Sequence, residues 1–289
     1  MKFGIGFANT GPFSVAAGAR PMAVAAEASG FESLWTVEHT VVPEGYESPY
    51  PYSADGRMPG PENSPIPDPL VWLSFLAGVT STINLGTGIL ILPQRNPVVL
   101  AKEVATLDSL SGGRLLLGIG VGWLAEEFEA IGIPFSERGA RTDDHVAAMR
   151  ALWSGEAASF DGRFTTFERC FAQPAPTNGT VPIHVGGHTD AAAKRAGRLG
   201  DGFFPASANP DDLARLIDIA RTTATEVGRD PDAIEVSTMA VATGAEAVDT
   251  VGRLADSGVD RVIIPAFFFY ADPEATLAAF GEQVIAPTS

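Results

Sequence analysis

Short apolar runs alternate along the chain with longer segments of helical spacing. The first apolar run covers residues 2–7, and an alanine-rich segment from 20 to 29 follows it and ends at Gly30. Eight strands are predicted in this way, centred on Phe3, Leu34, Leu85, Leu115, Ile183, Phe203, Val236 and Ile263. A helix follows each strand, so the pattern predicts a closed (β/α)8 TIM barrel of the α/β class, with an open doubly wound sheet as the alternative.

Two segments interrupt this alternation. Residues 40–67 carry seven prolines among Gly, Tyr, Ser and Asp, and a loop of this length in a compact domain is typically functional. We therefore predict a lid over residues 40–67. Residues 154–180 hold an alternating stretch around the turn Asp161-Gly162-Arg163, which predicts a small hairpin insertion. The strand and helix pattern resumes after both, so residues 1–289 are predicted to form a single domain.

Glycines are concentrated in two neighbouring predicted strands between residues 83 and 123. Gly86 and Gly88 lie near the end of one strand, and Gly118, Gly120 and Gly122 lie near the end of the next. Glycine weakens a strand interior because it adds backbone entropy and packs no side chain. We therefore expect a flat or bulky group to lie against the backbone of these two strands.

Composition narrows the classes of partner. The 289 residues include 45% hydrophobic ones, enough for a large core, and the formal net charge is −16. Such a charge repels phosphate backbones and anionic bilayers, so neither a nucleic acid nor a membrane is expected as a partner. The only cysteine excludes an intramolecular disulfide, and no signal region or membrane-length apolar run is evident. We expect a soluble, cytoplasmic protein that acts on a small molecule.

The candidate catalytic residues are those directly after the predicted strands, because the active sites of such barrels lie where the strands end. Glu38 and His39 end the second strand, and an imidazole exchanges protons near neutral pH. Both are candidate catalytic residues. His184 and His188 could join them in a metal site, but His184 lies within its strand and His188 beyond it. We therefore predict no metal.

A possible anion site precedes the alanine-rich helix after the fifth strand. Gly186, Gly187, His188 and Thr189 form this connection. Glycine backbone exposes N–H groups, and a helix N-terminus favours negative charge. The pattern indicates a place for a phosphate group, although a tight connection explains a Gly-Gly pair equally well.

Several stretches taken together resemble the luciferase-like monooxygenase superfamily, and within it the oxidoreductases that use the deazaflavin coenzyme F420. The similarity covers nearly the whole chain and rests on Leu85-Gly86-Thr87-Gly88-Ile89-Leu90, on the helix from Asn96-Pro97 to Gly112-Gly113-Arg114, on Leu116-Leu117-Gly118-Ile119-Gly120-Val121-Gly122-Trp123 with Glu126-Glu127-Phe128, and on Val185-Gly186-Gly187 with Asp201-Gly202-Phe203.

The resemblance implies a bacterial luciferase-like TIM barrel that forms a homodimer and binds F420, with FMN as the alternative cofactor. It implies a cis peptide between Gly88 and Ile89, under the central ring of the cofactor. His39 with Glu38 would lie at the ring edge. The remaining cofactor-binding residues that it implies are Gly122, Trp123, Glu126 and Glu127 beside the ring, and Gly186, Gly187, His188 and Thr189 at the phosphate.

The implied activity is hydride transfer between F420 and a small organic substrate. Two departures bear on the polar contacts, because many deazaflavin enzymes have Asp where this chain has Glu38 and Asn in the region of Glu126. Two alternatives stay open. One is an FMN-dependent two-component monooxygenase of the same superfamily, and the other is a barrel that binds a coenzyme or ligand without turnover.

Overall fold

A computed structural model describes residues 1–207 and 209–288 of the chain. Its strands are β1 (Lys2–Gly6), β2 (Ser33–Thr36), β3 (Asn84–Thr87), β4 (Leu90–Ile91), β5 (Leu115–Gly120), β6 (Ala158–Asp161), β7 (Thr166–Cys170), β8 (Ile183–Gly187), β9 (Gly202–Pro205), β10 (Glu235–Met239) and β11 (Arg261–Pro265). Its α-helices are α1 (Ala16–Ala28), α2 (Pro69–Ala77), α3 (Pro97–Ser111), α4 (Ala125–Ala130), α5 (Arg138–Leu152), α6 (Asp190–Leu199), α7 (Pro210–Glu226), α8 (Ala247–Asp256), α9 (Pro273–Phe280) and α10 (Ala286–Thr288). No helix in this part of the chain is long and apolar enough to cross a bilayer.

Parallel pairing closes the sheet on itself. The strands follow the order β3, β2, β1, β11, β10, β9, β8 and β5, and β5 pairs back with β3. β1 lies between β2 and β11, so the last strand closes beside the first. The predicted (β/α)8 barrel is therefore confirmed, and the doubly wound alternative is wrong. We call the end at which the barrel strands finish the mouth.

The third barrel strand is broken into β3 and β4. In β3 the partner on β5 lies 30 positions later, as in Leu85 with Leu115, whereas in β4 it lies 29 positions later, as in Leu90 with Ile119. One extra residue is thus accommodated between the two halves. The peptide bond between Gly88 and Ile89, which lies in this break, is cis.

Side chains of the protein itself occupy the space beside the strand glycines. Trp35 of β2 is buried inside the barrel, and a Cβ atom on Gly86 would lie 2.7 Å from its ring. A Cβ atom on Gly120 or on Gly186 would lie 2.5 Å from the side chain of Ile89. The bulky groups expected against these strands are therefore Trp35 and Ile89, and these glycines need no bound ring to explain them.

The two interruptions are both outside the barrel strands. β6 and β7 pair in an antiparallel hairpin, in which Phe160 lies opposite Phe167, within the predicted insertion 154–180. Residues 40–67 contain turns and bends without a helix or strand. The lid therefore depends on side-chain contacts for its position, and these contacts come from the mouth.

Candidate active site

His39 is held at the mouth by a buried carboxylate. Its Nδ1 lies 3.1 Å from Oε2 of Glu127, the third residue of α4. The Glu127 side chain is fully buried, and its Oε1 accepts hydrogen bonds from the amides of Thr40 at 2.5 Å and Val41 at 3.3 Å. One carboxylate therefore fixes both the imidazole and the first residues of the lid.

This contact defines which nitrogen of His39 is available for chemistry. Carboxylate oxygens accept hydrogen bonds, so this contact favours the His39 tautomer that donates from Nδ1 and leaves Nε2 as the acceptor. Nε2 has no hydrogen-bond partner within residues 1–207 and 209–288. His39 is thus arranged as a proton acceptor whose orientation is fixed by Glu127.

Glu38 is bonded to the residues that follow the broken third strand. Its Oε2 accepts from the amide of Ile91, and its Oε1 accepts from Arg95, which also lies 2.7 Å from Asp68 at the start of α2. Burial raises the pKa of Glu38, and the adjacent Arg95 guanidinium opposes that rise. Both oxygens are already bonded beside the broken third strand, and this geometry favours a positioning role for Glu38, while its catalytic role stays a prediction.

Trp123 and the lid tyrosines form an aromatic cluster around His39. The Trp123 ring is nearly perpendicular to His39 at 5.7 Å, and Tyr46 and Tyr50 lie edge-on to it at 5.4 and 5.2 Å. Burial raises the pKa of Tyr50 to about 12, so its phenol is neutral at physiological pH. Trp123 therefore packs against the lid from one side while it contacts His39.

Glu126 and His188 contact the lid farther along. Oε1 of Glu126 accepts from the amides of Glu47 at 2.7 Å and Ser48 at 3.0 Å, and hydrogen bonding, chiefly to Ser48, lowers the pKa of Glu126 to about 2. The Tyr52 ring lies edge-on to His188 at 5.2 Å. The lid thus extends from the second barrel strand across to the loop after the fifth, and Glu126 contributes to its position.

Gly88, Ile89 and Gly122 all lie at the mouth end of their strands and are partly exposed. The Ile89 side chain lies against Gly120 of the fourth barrel strand and Gly186 of the fifth. Gly122 has a φ of +80°, and a Cβ there would lie 2.7 Å from Phe128. Gly122 therefore serves the turn that leads to Trp123.

The loop of residues 186–189 leaves backbone groups accessible in front of α6. Gly187 has a φ of +141°, and a Cβ there would lie 2.7 Å from Ala192. Thr189 caps the helix by accepting from the amide of Ala192 at 3.2 Å. The other amides of the first turn keep no intrahelical acceptor, so this cradle suits an anionic group. The negative charge of Asp190 in that turn is paired with Arg215 at 2.5 Å.

His184, by contrast, takes no part in the mouth. It is buried inside the barrel, edge-on to Trp35 at 5.5 Å, and burial together with Arg261 lowers its pKa to about 4. Within the described ranges, no three His, Cys, Asp or Glu side chains come together as a possible metal site.

Sequence reasoning missed two contributions. It placed Glu127 beside a cofactor ring, whereas Glu127 bonds to His39, 88 residues away. It gave no role to Asn9, which is fully buried, exchanges hydrogen bonds with the backbone of Val37 and donates to Pro67 at 3.1 Å. Asn9 therefore holds both ends of the lid segment together. An amide side chain three positions after the first barrel strand was the available signal.

Fold and site together define a (β/α)8 barrel with a histidine–carboxylate pair at the carboxyl ends of its strands, beside the long loop of residues 40–67. The chain belongs to the luciferase-like monooxygenase family, whose family model matches residues 1–280. An uncharacterized protein of Mycobacterium tuberculosis is 36% identical over 245 residues, which cover 84% of this chain and 83% of that protein.

Two relatives have named activities. A protein of Kineococcus radiotolerans named F420-dependent glucose-6-phosphate dehydrogenase is 35% identical over 66% of this chain and 52% of its own length. A 5,10-methylenetetrahydromethanopterin reductase of Methanolobus tindarius is 29% identical over 97% of this chain and 75% of its own length.

Solved structures share the fold. The coenzyme F420 dependent tetrahydromethanopterin reductase of Methanopyrus kandleri superposes with a TM-score of 0.78 at 19% identity, over 100% of this chain and 99% of that one. The oxygenating constituent of 3,6-diketocamphane monooxygenase of Pseudomonas putida, in complex with FMN, gives a TM-score of 0.73 at 18% identity and 98% coverage of both chains. Both a deazaflavin-dependent and an FMN-containing protein thus have this architecture.

Proposed function

We propose that this protein is an oxidoreductase that transfers a hydride between coenzyme F420 and a small organic substrate. The observation that carries the proposal is the bond between Nδ1 of His39 and the buried carboxylate of Glu127, which leaves Nε2 without a hydrogen-bond partner among the described residues. The relative named F420-dependent glucose-6-phosphate dehydrogenase supports the choice of cofactor.

The residues at the mouth fit such a cofactor. The backbone at Gly88 and Ile89 would support the ring, and the cradle of Gly186 to Thr189 in front of α6 would hold the phosphate. When bound, F420 supplies or accepts the hydride. The lid over residues 40–67 would exclude water, since it reaches both Trp123 and His188.

His39 would move the proton that accompanies the hydride. In oxidation, the substrate hydroxyl gives its proton to Nε2 and the carbon loses a hydride with its electron pair, so that a carbonyl remains. Glu127 would stabilise the imidazolium that forms, because its carboxylate lies 3.1 Å from Nδ1. In reduction, the same nitrogen would return the proton to the developing alkoxide.

Two alternatives lead to different observations. An FMN-dependent monooxygenase shares the fold, as the FMN-containing neighbour illustrates. A barrel that only binds a coenzyme would gain nothing from an imidazole fixed by a buried carboxylate, and this arrangement favours a catalytic role for His39.

Titration of the purified protein with oxidised F420 and, separately, with FMN tests the proposal, with cofactor fluorescence as the readout. We expect saturable F420 binding and much weaker FMN binding, and the opposite order would overturn the proposal. With F420 bound, His39→Ala should lower kcat by about 100-fold or more at unchanged F420 affinity. His188→Gln is the matched control, because it should alter F420 affinity without altering the pH dependence of kcat.

A further inference from the structure

The segments that surround the mouth are rich in carboxylates and poor in cations. Between each barrel strand and the helix after it, the chain has eight Asp or Glu residues but only Arg57 and Arg95 as cations, counted over 7–15, 37–68, 92–96, 121–124, 188–189, 206–209, 240–246 and 266–272. A negatively charged rim repels anions and lowers their local concentration. An anionic ligand at this end therefore needs a dedicated anion site.

Both cations at the mouth are already paired. Arg57 lies 3.0 Å from Glu62, donates to the carbonyl of Tyr46 at 2.7 Å, and stacks over the Tyr46 ring. Arg95 is bonded to Glu38 and Asp68. Neither guanidinium is available to a phosphate or carboxylate of a substrate. The α6 cradle is the anion-compatible element at this end, and it is taken by the cofactor in the proposed function.

Apolar side chains are exposed where the last two barrel strands finish. Phe267 and Phe268, directly after β11, are 54% and 37% exposed, with ring centroids 4.7 Å apart. Val241, after the neighbouring β10, is 62% exposed. We call these three residues the apolar rim. Exposed aromatic side chains beside a pocket mouth are typical of ligand-binding surfaces.

The apolar rim is on the same side of the mouth as His39. β11 pairs with β1, and β1 pairs with β2, after which His39 follows. Neighbouring strands lie about 4.8 Å apart, so the ends of β11 and β2 are separated by about 10 Å. The strand that leads to Phe267 and Phe268 and the strand that leads to His39 therefore end close together at the mouth.

We propose that this site takes an uncharged, largely apolar alcohol or carbonyl compound, and that it rejects phosphorylated and carboxylated substrates. This inference rests on the proposed function for its chemistry. It separates this chain from the relative whose name specifies glucose 6-phosphate. Its physical basis is the absence of a spare cation at the described part of the mouth together with the exposed apolar rim where the last two barrel strands finish.

Matched ligand pairs test the inference on the F420-loaded protein. The pairs are benzyl alcohol with 4-(hydroxymethyl)benzoate and cyclohexanol with 4-hydroxycyclohexanecarboxylate, and glucose 6-phosphate is added alone. Displacement of the neutral fluorescent probe N-phenyl-1-naphthylamine reports binding, and F420 absorbance reports turnover. We expect the neutral member of each pair to bind at least 10-fold more tightly. Equal or tighter binding of the anionic members would overturn the inference.

Variants connect the preference to the apolar rim. The double variant Phe267→Ala/Phe268→Ala should weaken binding of the neutral ligands by about 10-fold without changing F420 affinity. Val241→Lys should reduce the preference for the neutral member. Phe171→Ala is the control, because Phe171 is 69% exposed but lies after the hairpin, away from the mouth. If the double variant binds neutral ligands like the parent protein, the inference is wrong.

The two proposals fail in distinguishable ways. If F420 does not bind while the probe still reports tighter binding of the neutral ligands, the proposed function is wrong and the substrate class is retained. If F420 binds and the anionic members are preferred, only the substrate class is wrong.

Discussion

Replacing Glu127 with Gln tests whether this carboxylate sets the protonation of His39. Gln has nearly the same shape, and its single oxygen is needed by the amides of Thr40 and Val41, which can only donate. The amide nitrogen of the substituted side chain is then left facing Nδ1 of His39. Two donors cannot bond to each other, so Nδ1 must lose its hydrogen and the imidazole must carry it on Nε2.

The expected size of this change follows from the contact. A hydrogen bond to a charged acceptor contributes about 1.5–3 kcal/mol, which favours the Nδ1–H form of the parent protein by about 10-fold to 150-fold. In Glu127→Gln, a neutral hydrogen bond of about 0.5–1.5 kcal/mol favours the Nε2–H form by about 2-fold to 10-fold. The dominant tautomer of His39 should therefore invert. Under the proposed function, kcat should fall by about 100-fold to 10,000-fold, because Nε2 no longer accepts a proton.

Nitrogen-15 NMR of the four imidazoles measures the tautomer directly and needs neither cofactor nor substrate. Spectra are recorded at a pH at which His39 is neutral, and the His39→Ala spectrum assigns the signals. Glu126→Gln is the matched control, because Glu126 bonds to lid amides and not to His39. A Glu127→Gln protein that keeps the parent tautomer, or a Glu126→Gln protein that inverts it, would refute the reasoning.

Three other predictions concern stability and assembly. Burial, with a contribution from Arg261, lowers the pKa of His184 from 6.5 to about 4, so between these values the unfolded chain binds more protons and stability falls as the pH falls. The free energy of unfolding should therefore be about 2 kcal/mol lower at pH 5 than at pH 7.5. Urea unfolding should show that His184→Leu removes this difference and that His188→Leu does not. Gly118→Ala should lower the free energy of unfolding by about 3 kcal/mol or more, because its Cβ would lie 1.7 Å from the carbonyl oxygen of Thr87. Gly252→Ala is the control and should not destabilise the protein, because the space around Gly252 is open. Equal unfolding midpoints for the two variants would contradict this prediction. Val71, Val99 and Leu110 are exposed on the adjacent helices α2 and α3, and this apolar surface is where we expect the homodimer contact. Light scattering should then give twice the chain mass of 30.2 kDa for the parent protein, and the single-chain mass for the double variant Val71→Lys/Leu110→Lys. A parent mass of 30.2 kDa would disprove the homodimer.

The barrel was predictable because its pattern is local. Each strand is a short apolar run, and helix starts carry their own signals, such as Asn96, whose side chain accepts from the first-turn amides of α3, and Asp68, which does the same for α2. The group that fills the space beside the strand glycines was not predictable. The ring beside Gly86 belongs to Trp35, 51 positions earlier, and no local pattern specifies which residue fills a barrel interior.

The assignment of Glu38 and His39 shows a signal that the sequence did contain. Successive residues of a strand point to opposite sides, and Trp35 of β2 points into the barrel. His39 is an even number of positions from Trp35, and Glu38 is an even number of positions from Leu34, which packs in the outer core. The same alternation, extended past Thr36 where β2 ends, assigns His39 to the Trp35 side and Glu38 to the Leu34 side. Only the partner of His39 required the three-dimensional structure.

The same separation of adjacent side chains occurs in α4, where consecutive residues lie about 100° apart around the helix. Glu127 turns inward to His39 and the start of the lid, while Glu126 bonds to the lid at Glu47 and Ser48. Both carboxylates lie in the first turn, where the helix dipole favours negative charge. The position of the lid and the orientation of the imidazole thus depend on one short helix. A displacement of α4 would disturb water exclusion and proton transfer together, so these two properties of the site are physically linked.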